Sequence, residues 1–219
     1  MKKTIKLLGL LFVAAMLFAG CANGSSSSDS SSNINEPLFS ADDVTLAATK
    51  YELADGKWVF REIDKDADSE SVQHFEFSLK NGQVDTSADK KFISSQSGTM
   101  PEGTPQASID AAKAQGYKID GNKYTYTKEY DNDAITKLFQ KYAATTTLTS
   151  GRNADPDALA YNRITSAIYK ANNMNNSTAP SGCKTNAEKT KYMWERGYTS
   201  YTSSGTTLQG KSTYYLAKK

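Results

Sequence analysis

Histidine occurs once in this chain of 219 residues, at position 74. Zinc sites that need two or three imidazoles are therefore excluded, and a serine or cysteine triad would have to use that one ring. Cysteine occurs twice, at positions 21 and 183, and proline five times. No glycine-rich phosphate loop is present, and no apolar run reaches the roughly 20 residues that span a bilayer as a helix. Charge of either sign is not in excess, with 26 Lys and Arg against 24 Asp and Glu. A near-neutral chain without a long basic run argues against nucleic acid or an anionic headgroup as the main partner.

The most informative stretch is the beginning. Lys2, Lys3 and Lys6 precede a short apolar run from Leu7 to Phe18, followed by Ala19, Gly20 and Cys21. A charged flank, a brief apolar segment and small residues before a cleavage point form a targeting signal. With the cysteine in place, the stretch resembles the lipobox signal peptide of bacterial lipoproteins. That resemblance implies a signal peptide over residues 1–20, cleavage before Cys21, diacylation of its thiol and acylation of the new amine by palmitate-type chains. Each buried methylene is worth about 0.8 kcal/mol, so several chains on one residue give a lasting membrane anchor. The expected location is the bacterial cell envelope. Ala22 stands where an inner-membrane retention aspartate would be, which favours the outer membrane over the inner.

Residues 21–34 contain the serine-rich tract Ser25 to Ser32 and read as a flexible tether, because Gly24 to Asn33 offers no apolar side chain to bury. Residues 35–219 are then a single globular domain. Removing the leader and its three lysines takes 26 basic residues to 23 against 24 acidic, a net charge of −1. Once Cys21 carries lipid, Cys183 is the one remaining thiol, so the domain closes no internal disulfide.

Asn35 to Thr49 is expected to be a lead-in segment with Leu38, Phe39, Val44 and Leu46 able to pack and Asp42-Asp43 suited to a turn or helix start. Asp55-Gly56 turns into a strand with Trp58 and Phe60 on one face. The acidic run Asp64 to Glu70 joins it to a second strand, where Phe75, Phe77 and Leu79 face one way and His74, Glu76 and Ser78 the other. Asn81-Gly82 is a tight turn. Gln83-Val84 and Phe92 to Ser94 read as short edge pieces, and Ser94 to Pro105 as loop. Thr104 as N-cap before Pro105 predicts a helix over 105–115.

Tyr117 to Tyr130 reads as a hairpin about Asp120-Gly121-Asn122. Ile135, Leu138, Phe139 and Tyr142 form a single stripe on a helix over 131–144. Thr145 to Thr149 reads as extended, and Asp155-Pro156 begins a helix reaching 172. Asn172 to Gly182 is the longest internal breaker, read as a surface excursion. Residues 184–197 suit a helix capped by Thr185 and Glu188 or, equally, a strand through Tyr192, Met193 and Trp194. Ser212 to Lys218 closes as a strand. The fold class is α+β, an antiparallel sheet with helices packed on one face and Trp58, Phe60, Phe75, Phe77, Ile135, Leu138 and Phe139 in the core. Gly56 to Trp58 is also similar to the Gly-x-Trp opening of lipocalin-like proteins, which implies a β-barrel with helical insertions as the alternative.

No catalytic set, metal site or cofactor is expected. Asp64, Asp66, Asp68 and Glu70 alternate like calcium ligands, but Ser69 and Phe75 fall where an EF-hand needs glycine and glutamate, so a solvated turn is expected. His74 is expected on an exposed strand face, and Cys183 lacks the surroundings of a reactive thiol. Thirteen tyrosines and two tryptophans offer amphipathic contact surface, and Tyr124, Tyr126, Tyr130 and Trp194 are the candidate ligand-binding residues. The function this supports is a non-enzymatic, lipid-anchored envelope lipoprotein that binds a partner protein or small ligand through an aromatic face. A tethered hydrolase using a carboxylate pair or His74, and a structural envelope protein, are the alternatives.

Overall fold

The computed structural model describes residues 34–142, 156–175, 177–201 and 207–219. The expected signal peptide, Cys21, the serine tract and Thr145 to Thr149 lie outside the described residues. A 3-10 turn, Ala41–Asp43, comes first, with the Ser40 and Asp43 side chains capping it reciprocally. Strands β1 (Leu46–Ala47), β2 (Gly56–Lys65), β3 (Ser69–Lys80), β4 (Gln83–Val84) and β5 (Lys91–Thr99) precede helix α1 (Gln106–Ala114). The hairpin β6 (Lys118–Asp120) and β7 (Lys123–Tyr130) leads to α2 (Asn132–Tyr142) and α3 (Pro156–Met174). The chain ends with β8 (Lys184–Thr185), β9 (Lys191–Tyr201) and β10 (Thr207–Lys218).

These elements make an α+β fold on one antiparallel sheet of order β1-β8-β9-β10-β2-β3-β5-β7-β6, with β4 added to the end of β3. The last strand, β10, lies between β9 and β2 near the middle of the sheet. Its two ends, β1 and β6, do not pair with each other among the described residues, so no closed lipocalin-like barrel is seen. Trp58 opens β2 as a buried residue whose Nε1 donates to the Ala54 carbonyl at 2.8 Å.

Side chains alternate across a strand, so register decides which residues meet. Trp58 lies opposite Phe77, Phe60 opposite Phe75, Phe75 opposite Phe92, and Phe92 opposite Tyr130. This row clusters with Ile135 and Leu138 of α2 and with Ile164 and Ala171 of α3. Phe139 packs at its margin, edge-on to Tyr161 at 4.9 Å. Ile164 is fully buried, which is worth about 1.5–3 kcal/mol over exposure. The Asp131 side chain accepts from the Ala134 amide at 2.8 Å and caps α2. Residues of the other parity gather separately: Phe39, Val44 and Tyr215 pack with Leu38, Ile63, Met193 and Ala217. The lead-in segment is thus seated on the sheet, although Leu46 remains exposed.

Several expectations are corrected. The chain from Phe92 onward is not a short edge piece followed by loop but a nine-residue strand with β3 on one side and β7 on the other. Its Ser94-Ser95-Gln96 core shows no apolar alternation because these side chains find polar partners: Ser95 Oγ meets Thr127 Oγ1 at 3.1 Å, and Gln96 Oε1 accepts from the Tyr117 hydroxyl at 2.8 Å. Pro105, not Thr104, occupies the cap position of α1, and the Thr104 hydroxyl turns back to the Pro101 carbonyl. Residues 184–197 are extended, since Asn186 Oδ1 accepts from the amides of Thr190 and Lys191 at 2.9 Å and closes a turn where a helix would have begun. The breaker-rich stretch before them is pinned to residues 49–51, with Ala179 N donating to Thr49 O and Tyr51 N to Ser177 O.

Candidate functional site

The strand parity that fills the core also raises a row of rings at its border. Trp194 of β9 and Tyr214 of β10 are cross-strand neighbours, stacked with centroids 4.9 Å apart and planes at 5°. Phe60 of β2 stands 6.3 Å from each ring, and Tyr51 meets Trp194 edge-on at 5.7 Å. The last turns of α3 and the Pro180-Ser181 loop rise beside this floor and leave an open cleft of about 500 Å³. Lys170 and Met174 form its helical wall, and Arg196 and Glu195 continue it along β9. Although Trp194 is only 8% exposed, it borders the cleft.

Polar groups frame the rings. Glu62 lies directly across from Tyr214, and its carboxylate is 3.7 Å from Lys170 Nζ. Burial pushes the Glu62 carboxyl above the usual range, with the Lys170 ammonium opposing and Asp64 adding to the rise. Burial likewise raises the Tyr214 phenol, and the charge of Glu62 acts in the same direction. Asp64 accepts from the hydroxyl of Ser212 and lies 3.5 Å from that of Ser71. The side chain of Glu195 alternates to the other face of β9, where Lys211 meets it at 2.6 Å.

Of the four aromatic residues singled out by the sequence, Trp194 alone borders this cleft. Tyr126 and Tyr130 are buried. Tyr126 stacks on Tyr117 at 4.8 Å, Tyr124 meets Tyr117 at 6.0 Å, and Tyr130 packs on Phe92 at 6.2 Å. Tyr124 and Tyr126 support the far part of the sheet and α1, and Tyr130 belongs to the main core. Sequence reasoning missed Phe60 as a site residue, along with Lys170, Arg196 and Tyr214. Aromatic content pointed to the strands, but pairing β9 with β10 and β10 with β2 is what assembles the floor.

His74 is not on an exposed strand face: it is only 4% exposed. The lead-in segment covers its side of the sheet, and Arg61 donates through Nη1 to the Glu36 carbonyl there. Arg61 Nε also donates to His74 Nδ1 at 3.2 Å, which leaves the proton on Nε2 to be given to Glu76 Oε1 at 3.0 Å. Burial lowers the imidazole's proton affinity, while the His74 hydrogen bond holds Glu76 down at about 2. Both ring nitrogens are engaged, on the face opposite to the cleft.

Cys183 is buried, and burial raises its thiol to about 11, the reverse of an activated nucleophile. In the acidic turn, Asp66 Oδ1 accepts from the Asp68 and Ser69 amides and the Ser69 hydroxyl. Among the described residues no group of three or more His, Cys, Asp or Glu side chains could hold a metal ion, and no helix is long and apolar enough to cross a membrane. No family model, curated protein or solved structure gives a significant match to this chain.

Proposed function

We propose that this protein is a lipid-anchored envelope lipoprotein whose domain is a non-enzymatic binding module for a small ring-bearing ligand, a sugar. In this reading Cys21 carries the acyl chains, and all three helices cover the face of the sheet that bears Trp58 and Phe60. The cleft floored by Phe60, Trp194 and Tyr214 faces the ligand. The observation that carries the reading is the cleft itself: stacked rings flanked by a few polar groups suit the apolar faces and hydroxyl edges of a saccharide. Calorimetric titration of residues 21–219 with a panel of mono- and disaccharides tests it. Saturable binding is expected, weakened at least about 10-fold in Tyr214→Ala, which is about 1.4 kcal/mol, with the far-ultraviolet dichroism unchanged. Absence of binding, or equal binding by the variant, would sink the proposal.

The tethered hydrolase is retained as a second reading on one observation: half-buried Glu62, with its carboxyl raised, lies two residues from Asp64 on the same strand face and 3.7 Å from Lys170 of the cleft wall. The engagement of both His74 nitrogens favours a carboxylate version over a histidine one. Turnover of a bound saccharide that disappears in Glu62→Gln would select this reading over the binding module.

A further inference from the structure

The two cations that line the cleft, Lys170 and Arg196, differ in what engages them. Lys170 Nζ is 3.7 Å from the Glu62 carboxylate. Arg196 is exposed, lines the cleft and has no ion-pair partner among the described residues. It stands two residues beyond Trp194 on the same side of β9, directly across from Ser212 and diagonal to Tyr214. Two residues along a strand cover about 7 Å, the reach of one pyranose ring and its exocyclic substituent. A ring resting against the Trp194–Tyr214 pair would therefore present a substituent to the guanidinium.

We infer that the cleft selects sugars carrying a carboxylate, of the uronic or sialic acid type, and that Arg196 is the group that recognises the carboxylate. This rests on the binding-module reading above. A guanidinium offers two parallel N–H donors that match the two oxygens of a carboxylate. A phosphorylated sugar fits less well. Its dianion calls for a second free cation, and Lys170 is already shared with Glu62. The cleft is also bordered by Met174 at the C-terminal end of α3, where the helix dipole is negative. A singly charged group held at Arg196, on the strand side, is opposed less by that dipole.

The test is an immobilised glycan array probed with residues 21–219. Each sialyl-, glucuronyl- or galacturonyl-terminated glycan is paired with a neutral counterpart lacking the acid or carrying its methyl ester. Acidic members are expected to bind at least about 10-fold better than their partners. Arg196→Gln should reduce them to the level of the neutral members. Arg196→Lys should restore only part of the preference, because an ammonium lacks the planar fork. Equal binding of acidic and neutral partners, or an unchanged preference in Arg196→Gln, overturns the assignment while leaving the saccharide reading standing. No glycan bound, or full binding by Tyr214→Ala, removes both.

Discussion

The relay Glu36–Arg61–His74–Glu76–Lys219 shows how much a single side chain can be constrained by what lies over it. Arg61 and His74 are cross-strand partners on β2 and β3, and Lys219 Nζ reaches Glu76 Oε2 at 2.6 Å from the end of the chain. His74 is held neutral, with its folded proton affinity below the ordinary value of 6.5. The unfolded state therefore takes up more protons just below that pH, and the stability tied to neutral His74 is lost as pH falls through 6.5. Glu76 acts in the same sense lower down: its contribution is present above about 4.5 and is lost as pH falls towards about 2. Thermal melting should show Tm declining below pH 6.5 and more steeply below 4.5. His74→Leu should cost about 1–3 kcal/mol at pH 7, because the buried Arg61 Nε loses its acceptor, and should flatten the decline between pH 7 and 5. A wild-type Tm that does not change between pH 7 and 5 would contradict this. That the histidine points away from the face of Phe75 and Phe77 was legible in the alternation of β3. That its own side is covered was not, since the cover comes from residues 35–44 and from Tyr215.

At the scale of elements, the hairpins were readable because turn chemistry is local. Asn81 and Gly82 adopt φ of 54° and 75°, with their amides bonded to the Asp55 carboxylate, and Gly121 adopts 57° in the two-residue turn of β6 and β7. Helix α2 began within two residues of expectation for the same reason, its Asp131 cap being local, and α1 and α3 began as near to expectation. Strand β5 escaped because its pairing partners, not its own pattern, make it extended. Two cross-strand pairs share one device: Tyr124 covers Gly98 between β7 and β5, and Tyr198 covers Gly210 between β9 and β10. A Cβ at position 98 would lie 2.7 Å from the Asp68 carbonyl oxygen and 2.6 Å from the Tyr124 hydroxyl, whereas the atoms nearest one at 210 are the outer atoms of the Tyr198 ring. Gly98→Ala should thus destabilise by about 1–3 kcal/mol, and Gly210→Ala by less, because a ring can swing aside whereas the Asp68 carbonyl is held by the Thr99 amide at 3.0 Å. Urea unfolding of both variants checks the order, and an equal or reversed cost would refute it.

For the whole molecule, the lead-in segment seated on the sheet leads directly into the proposed tether and anchor. Intact mass of the membrane-extracted protein should equal residues 21–219 plus acyl chains, and protease treatment of whole cells should remove the domain if it faces outward. A mass without lipid would overturn the anchoring proposal, and a lipidated but protected domain would point to periplasmic ligands. The sequence by itself determined the turns, the helical stripe of α2, the pairing of Trp58 and Phe60 with Phe75 and Phe77, and the shortage of imidazole and thiol, because each depends on composition or on residues close along the chain. Tertiary structure alone decided that 184–197 is extended, that His74 is covered, and that the tyrosines split between packing and cleft. It also decided that Phe60, Trp194 and Tyr214 form one floor. Those outcomes rest on β10 entering between β9 and β2, a pairing between segments about 150 residues apart that no local periodicity encodes.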